Sequence, residues 1–381
     1  MDHERYRIFY RFDLGNPCHR ILNSIYIKPM EKIRIAINGF GRIGRQAFKI
    51  ALTKPELEVV GINDLTEPKV LAHLLRFDSN YGPYDKKVGS DDKQEKANQT
   101  ISSMGSIIVD GKRYPIFAEK DPATLPWRDL SVDVVLESTG RFITTEASSA
   151  HLKAGAKKVI ISAPAKDEGI TPTFIIGVNH NKYNEEKIIS NASCTTNNIT
   201  PVIAILHSKF GVKKMMMSTI HSYTAEQNLV DGPPPGGKSN DMRRARAAAE
   251  NIIPTSSGAS IATTEALPEL KGLLTAMAFR VPTPVGSLSD FTFILNKKVT
   301  VAEVNQVFID AAKNPIWQNI LQVTHDPIVS TDIIGNPHSS IVDLELTQVV
   351  DGDMVKVVAW YDNEFGYANR FVEQAIMIGK E

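Results

Sequence analysis

The heptapeptide Asn38-Gly39-Phe40-Gly41-Arg42-Ile43-Gly44 constrains this chain more than any other stretch. It places Gly-x-Gly-x-x-Gly between a short strand-like run, residues 33–38, and a segment of helical spacing, residues 42–52. Three spaced glycines alone mark a turn as readily as a ligand. After a strand and at the opening of a helix, each acquires a mechanical task. Gly39 permits a tight turn, Gly41 lets backbone approach a pyrophosphate, and Gly44 lets helix pack on strand. The N–H groups left free at the helix start then face the phosphates. Asp64 stands 20 residues beyond Gly44, after a second apolar run at 57–62, where its carboxylate would accept hydrogen bonds from an adenosine ribose. The pattern predicts a dinucleotide site on a parallel sheet.

Further apolar runs at 132–136, 159–161 and 174–178, with helix-like segments between most of them, continue the alternation of a parallel βαβ sheet. The polar stretch 86–106 reads as a surface loop or hairpin extension. Beyond Cys194 the runs lengthen, at 215–223, 274–281, 288–295, 340–349 and 354–361, and Val350-Asp-Gly-Asp353 is a hairpin signal between the last two. Helices are expected at 199–210, 301–312 and 366–378. The fold class is therefore α/β, an N-terminal Rossmann dinucleotide-binding domain at 33–192 followed by an α+β catalytic domain at 193–363 with a mostly antiparallel sheet. A length of 381 residues suits two domains. Residues 1–32 read as a leader dispensable for catalysis. They lack the apolar centre of a secretory signal and carry acids that a transit peptide avoids.

Charge narrows the function. Lys+Arg and Asp+Glu are both 43, without the basic excess of a dedicated nucleic-acid binder. No apolar run approaches the ~18 residues of a membrane span. Two cysteines, Cys18 and Cys194, make no disulfide framework, so a cytoplasmic setting is expected. No metal site is expected.

Cys194 begins the helical segment after Ser193. A lone cysteine is ordinarily a small buried hydrophobe, but a helix N-terminus favours thiolate and lowers a free pKa of ~8.5. Of nine histidines, His221, near the end of a strand-like run, is the best candidate base, although a strand histidine is more often a satisfied core residue. Dinucleotide, thiol and base together suggest oxidation of an aldehyde through a thioester.

The order of Asn38-Gly-Phe-Gly-Arg-Ile-Gly-Arg45, Glu137-Ser-Thr-Gly-Arg-Phe142, Ser162-Ala-Pro-Ala165, Ser190-Asn-Ala-Ser-Cys-Thr-Thr-Asn197, His221-Ser-Tyr-Thr224, Phe279-Arg-Val-Pro-Thr-Pro284 and Trp360-Tyr-Asp-Asn-Glu-Phe-Gly-Tyr367 resembles the phosphorylating glyceraldehyde-3-phosphate dehydrogenases from residue 32 onward. The resemblance implies that Cys194 attacks the aldehyde of glyceraldehyde 3-phosphate and that His221 takes the hydroxyl proton as hydride leaves for NAD. Inorganic phosphate then cleaves the thioester to 1,3-bisphosphoglycerate. It implies that Gly39, Phe40, Gly41, Arg42, Ile43, Asp64, Lys120, Thr139, Gly140, Ser162 and Asn363 bind NAD, with Asn363 orienting the carboxamide. Thr224 and Arg280 would hold one phosphate, and Ser193, Thr195, Arg244, Ser257 and Gly258 the other. It also implies a homotetramer and a C-terminal helix, 364–381, that returns to the first domain.

The chain departs from that pattern in places. Asn198 stands where the family has a second cysteine, and Ser257 where threonine is usual. The loop at 231–241 and the stretch at 86–106 look extended. Erythrose-4-phosphate dehydrogenases share the scaffold but tend to carry glutamate at the position of Asp64. An RNA- or protein-binding role of the dinucleotide fold is the rival of another class, and the zero net charge and the Cys194/His221 pair weigh against it.

Overall fold

The computed structural model describes residues 31–98, 101–233 and 241–380. The leader expectation for residues 1–30 lies outside them, as do most of the 231–241 loop and residues 99–100.

β1 (Ile33–Asn38) is buried on both faces: Ile35, Ala36 and Ile37 are all inaccessible. Near-continuous apolarity of this kind is what a parallel strand between two layers requires. The chain continues through α1 (Arg42–Ala51), β2 (Leu57–Asn63), α2 (Pro68–Arg76) and the small hairpin of β3 (Phe77–Asp78) and β4 (Gly82–Pro83). β5 (Val88–Asp91), β6 (Gly105–Val109) and β7 (Lys112–Phe117) precede β8 (Val134–Glu137), α3 (Thr145–Lys153), β9 (Lys158–Ile161) and β10 (Ile188–Ser190). The eight-stranded sheet runs β10-β9-β8-β1-β2-β7-β6-β5. Its pairings are parallel from β10 to β7 and antiparallel at the β6 and β5 edge.

One sequence reading is resolved here, in favour of its hairpin alternative, and one changes. The polar stretch 86–106 supplies β5 and the start of β6, so it widens the sheet as an edge hairpin, with Arg113 of β7 paired to Asp91 and Glu95. The apolar run 174–178 is no strand. Asn179 Oδ1 accepts from Ile175 N (2.7 Å) and its amide donates to Thr173 O (2.9 Å), while Gly177 sits at φ +86°. Burial made that run apolar, and a side-chain-closed turn satisfies its backbone. The strand at that edge is β10.

The second sheet grows from α4 (Cys194–Phe210), β11 (Val212–Ser222), β12 (Ile253–Ser256), α5 (Ala259–Ala266), β13 (Leu274–Val281) and β14 (Ser287–Leu295). α6 (Val301–Lys313), β15 (Leu321–Thr324), β16 (Ser340–Val350), β17 (Met354–Tyr361) and α7 (Phe365–Gly379) complete it. The order is β12-β13-β11-β14-β17-β16-β15. Pairing is antiparallel except for β11 with β13 and β15 with β16. Ile203 of α4 and Phe308 of α6 share a core with Phe291, Phe293, Val342 and Val357 of the sheet. α7 turns back to the first sheet: Phe371, Val372, Ala375 and Ile378 join the core of Ile33, Ile35 and Phe48. That return carries the end of β17, and Asn363 beyond it, to the first sheet.

Candidate active site

The glycines behave as their spacing predicts. Gly39 holds φ +91°, and a Cβ on Gly44 would lie 2.0 Å from the Gly39 carbonyl oxygen. Gly41 faces open space, so its backbone is approachable. Asp64 is built into the same turn, accepting from Phe40 N (2.8 Å) through Oδ2 and from Thr66 N (2.9 Å) through Oδ1. Phe40 itself is buried, edge-on to Phe48. Thr139 and Gly140 follow β8, Ser162 follows β9, and the exposed Lys120 follows β7. These residues therefore stand at the carboxyl ends of parallel strands, where open α/β sheets bind ligands. A glycine cradle at a helix start, with a carboxylate at the next strand end, fits a dinucleotide.

Arg42 is the exception in this group. Its guanidinium is held by Glu364 and by Asp78 (2.6 Å), so only its backbone N–H, with that of Ile43, is left for a ligand at the start of α1. Glu364 adjoins Asn363, whose Oδ1 accepts from Gly286 N and Ser287 Oγ, both at 3.1 Å. The Asn363 amide nitrogen is without a partner among the described residues, the donor a carboxamide oxygen needs. Under the crevice, the buried Glu137 accepts from Asn38 Nδ2, Thr139 N and Thr139 Oγ1. It also meets His151 Nε2 at 3.0 Å. Trp127 Nε1 donates to His151 Nδ1 (3.0 Å), which leaves the imidazole proton on Nε2, toward Glu137.

At the other end of the crevice, Cys194 is the first residue of α4. Ser193 caps the helix, its Oγ accepting from Thr196 N (3.0 Å). The preceding Ala192 is held at φ +53°, a sparsely populated conformation for a residue with a side chain, as is common beside reactive groups. His221, the penultimate residue of strand β11, brings Nε2 to 3.4 Å from Cys194 Sγ. Its Nδ1 lies 2.6 Å from Ser222 O. A nitrogen so close to a carbonyl carries the proton, so Nε2 offers its lone pair to the thiol. The ring of Tyr361 stands edge-on to His221, and its hydroxyl bonds Thr195 Oγ1 (3.1 Å) and Thr219 Oγ1 (2.8 Å).

Electrostatics here differ from the sequence expectation. Burial pushes the Cys194 thiol up, outweighing the pull of Arg280 and of the N–H groups at the helix start. Burial, helped by Arg280, pushes His221 down to about 3. Both shifts favour the neutral forms, a thiol and a neutral imidazole in contact at 3.4 Å.

Arg280 of β13 lies opposite His221 in register, NH1 at 3.2 Å from His221 Nδ1, 3.1 Å from Ser222 O and 3.3 Å from Thr224 Oγ1. Arg244 reaches the same corner. Its Nε donates to Thr255 Oγ1 (2.9 Å), whereas Arg243 is exposed and Arg246 pairs with Asp231 on the surface. The structure therefore brings Cys194, His221, Thr224, Arg280 and Arg244 together. The hydroxyls of Ser193 and Thr195 are engaged by the helix cap and by Tyr361. Ser257 and Gly258 stand at the start of α5, which is tied to α4 by the Thr200–Thr263 hydroxyl contact (3.1 Å). Asn198, one turn beyond Cys194, is wholly buried and donates to Ser339 O (3.2 Å), tying α4 to β16.

Sequence reasoning missed Tyr361, Glu226, Glu137 and Glu364. Tyr361 and Glu364 lie in a quoted motif, and Glu226 lies two residues past Thr224. Tyr361, Glu226 and Glu364 act on partners far away in the chain, and Glu137 joins the nearby Thr139 to the distant Asn38.

The sequence comparisons agree with this geometry. Residues 33–145 match the family model described as glyceraldehyde 3-phosphate dehydrogenase, NAD binding domain, and residues 193–363 match that of the C-terminal domain. The chain is 48% identical over 351 residues to glyceraldehyde-3-phosphate dehydrogenase 1 of Bacillus subtilis, covering 92% of this chain and 99% of that protein. The chain belongs to the glyceraldehyde-3-phosphate dehydrogenase family. Identity is likewise 48% over 351 residues, with the same coverage, to the dehydrogenase of Geobacillus stearothermophilus, and 47% over 347 residues (91% and 98%) to that of Haloarcula vallismortis. As a glyceraldehyde-3-phosphate dehydrogenase family member, the protein is an NAD-dependent oxidoreductase with a Rossmann-type first domain and a C-terminal catalytic domain. No helix among the described residues is long and apolar enough to cross a membrane.

Proposed function

We propose that this chain oxidises D-glyceraldehyde 3-phosphate to 1,3-bisphosphoglycerate, with NAD as oxidant and inorganic phosphate as acyl acceptor. The observation that carries the reading is the line of contacts from Cys194 Sγ through His221 to Arg280, at 3.4 Å and 3.2 Å, across the crevice from the glycine cradle.

Cys194 attacks the aldehyde carbon while His221 Nε2 receives the thiol proton. The backbone N–H of Cys194, at the start of α4, lies beside the oxygen that gains charge. Arg280 and Thr224 hold the substrate phosphate. His221 passes that proton to the oxyanion, which gives the neutral hemithioacetal, and with Nε2 free again it takes the hydroxyl proton back as the hydride leaves the carbon. NAD, when bound, accepts the hydride. Asn363 would orient the carboxamide. Gly39 and Phe40 shape the turn, with their own N–H groups bonded to Asn63 O and Asp64. The N–H groups of Gly41, Arg42 and Ile43 at the start of α1 would hold the pyrophosphate, and Thr139, Gly140, Ser162 and Lys120 would border the crevice. Inorganic phosphate, approaching past Ser193, Thr195, Ser257, Gly258 and Arg244, cleaves the thioester. The thioester keeps the oxidation energy available for that transfer.

The test is NADH formation from glyceraldehyde 3-phosphate with and without inorganic phosphate. Sustained turnover only when phosphate is present is expected. Equal sustained turnover without it would replace the phosphorolysis step by hydrolysis.

NAD is expected to exceed NADP in kcat/KM by about tenfold or more, each ~1.4 kcal/mol of discrimination being tenfold. A 2′-phosphate would bring like charge against the Asp64 carboxylate and remove a ribose donor. Leu65 and Thr66 supply no compensating cation. Asp64→Ala should shrink the preference and also raise the KM for NAD, because Asp64 fixes Phe40 N and Thr66 N. Equal use of both cofactors by the unaltered protein would mean that Asp64 does not read the ribose.

The exposed side of β11 and β13 supports a homotetramer, with Met216, Met277 and the nearby Ile252 well exposed. A patch of that kind is characteristic of a subunit interface. A catalytic thiol that must stay reduced supports a cytoplasmic setting.

A further inference from the structure

Glu226 occupies a position that the reaction does not explain. Its Oε1 lies 3.2 Å from Arg280 NH2 and 3.2 Å from Arg244 NH1. The two guanidinium nitrogens are therefore less than twice that distance apart, with one carboxylate oxygen between them. The arginine side chains are largely covered, at 13% and 25% exposure, whereas that of Glu226 is 49% exposed. Two half-enclosed cations converge, and the anion joining them comes from a side chain free to swing into solvent.

We infer that Glu226 is an internal competitor for the substrate's phosphate group, setting how strongly this corner discriminates phosphorylated from unphosphorylated aldehyde. The inference rests on the reading of Arg280 and Thr224 as the substrate-phosphate site.

The chemistry follows from charge and geometry. Arg280 donates through NH1 to Ser222 O and Thr224 Oγ1, and turns NH2 toward Glu226. A phosphate dianion that takes bidentate bonds from Arg280 must claim the face now given to the carboxylate. Glu226 then moves away, forfeiting two charge-assisted contacts, or stays and repels the dianion. Either course weakens phosphate binding. The same contacts neutralise the arginines between turnovers, so that other small anions bind less tightly to the empty site. A neutral aldehyde makes no call on Arg280 and is indifferent to Glu226.

Glu226→Gln keeps an oxygen that can accept from both arginines and removes the charge. The variant should lower the KM for glyceraldehyde 3-phosphate, and the Ki of glycerol 3-phosphate as a competitive dead-end inhibitor, by about three- to tenfold. That range is what one or two partly exposed ion pairs of up to ~1 kcal/mol convert to. The kcat/KM for unphosphorylated glyceraldehyde should stay within about twofold, which excludes a general disturbance of Cys194 and His221. A raised KM for glyceraldehyde 3-phosphate, with glyceraldehyde unaffected, would overturn the inference and make Glu226 a support that positions the arginines. Unchanged constants for both anions would overturn it as well. Should the unaltered protein fail to oxidise glyceraldehyde 3-phosphate, the functional reading fails. Calorimetric titration of both proteins with glycerol 3-phosphate still decides the inference, since tighter binding to Glu226→Gln is required.

Discussion

Cys194→Ser is expected to reduce NADH formation from glyceraldehyde 3-phosphate by roughly 10⁴-fold or more, the scale on which a lost nucleophile is felt, while NAD binding persists. The thiol sits at the start of α4 with a neutral imidazole 3.4 Å away. A serine hydroxyl is far less acidic than a thiol and its neutral oxygen a poorer nucleophile, so the same imidazole activates it far less. An oxygen ester would also be a poorer acyl donor to phosphate than a thioester. The cofactor's contacts lie elsewhere, at the turn of Gly39 to Gly44 and at Asp64, and exchanging sulfur for oxygen in the half-buried Cys194 leaves them in place. NAD titration monitored by protein fluorescence, beside the turnover assay, separates the two effects. Turnover within about tenfold of the parent would show that the sulfur is not the nucleophile.

The fingerprint was legible because its requirements are local. A tight turn needs φ > 0 at Gly39, and the close approach at Gly44 excludes a Cβ, whatever the rest of the chain does. Asp64 could be placed from its distance along one βαβ unit. Cys194 was legible as a helix opener for a similar reason. Its protonation was not, since burial by distant segments outweighs the helix start. Glu226 and Arg280 are 54 residues apart, and Thr195 and Tyr361 are 166 apart, so no spacing rule connects them. The pairing of the Arg42 guanidinium with Glu364, 322 residues on, is likewise beyond any local pattern. The run 174–178 has an apolar composition that a buried turn and a buried strand share, and the Asn179 side chain decides between them. The four-residue strands β12 and β15 are too short to show a period.

His221→Asn is expected to slow turnover by roughly 10²–10⁴, the range for a lost general base. Asparagine can retain a bond to Ser222 O, but it cannot accept a proton from Sγ. Burial keeps the thiol high, so little thiolate forms unaided near neutrality, and alkylation of Cys194 by iodoacetamide should slow in parallel with turnover. In the variant, alkylation should recover only as pH rises through the elevated thiol range. Stability supplies an independent check of the same residue. His221 titrates at an ordinary 6.5 when unfolded and at about 3 when folded, so between those values the unfolded chain binds the extra proton. Stability therefore falls as pH drops from 6.5 toward 3, through this group. Removing the imidazole removes that contribution, and urea midpoints for His221→Asn should depend less steeply on pH across this window than those of the parent. A variant with unchanged alkylation kinetics at neutral pH would mean that His221 does not serve the thiol. An unchanged pH slope would mean that the imidazole is not held neutral by its surroundings.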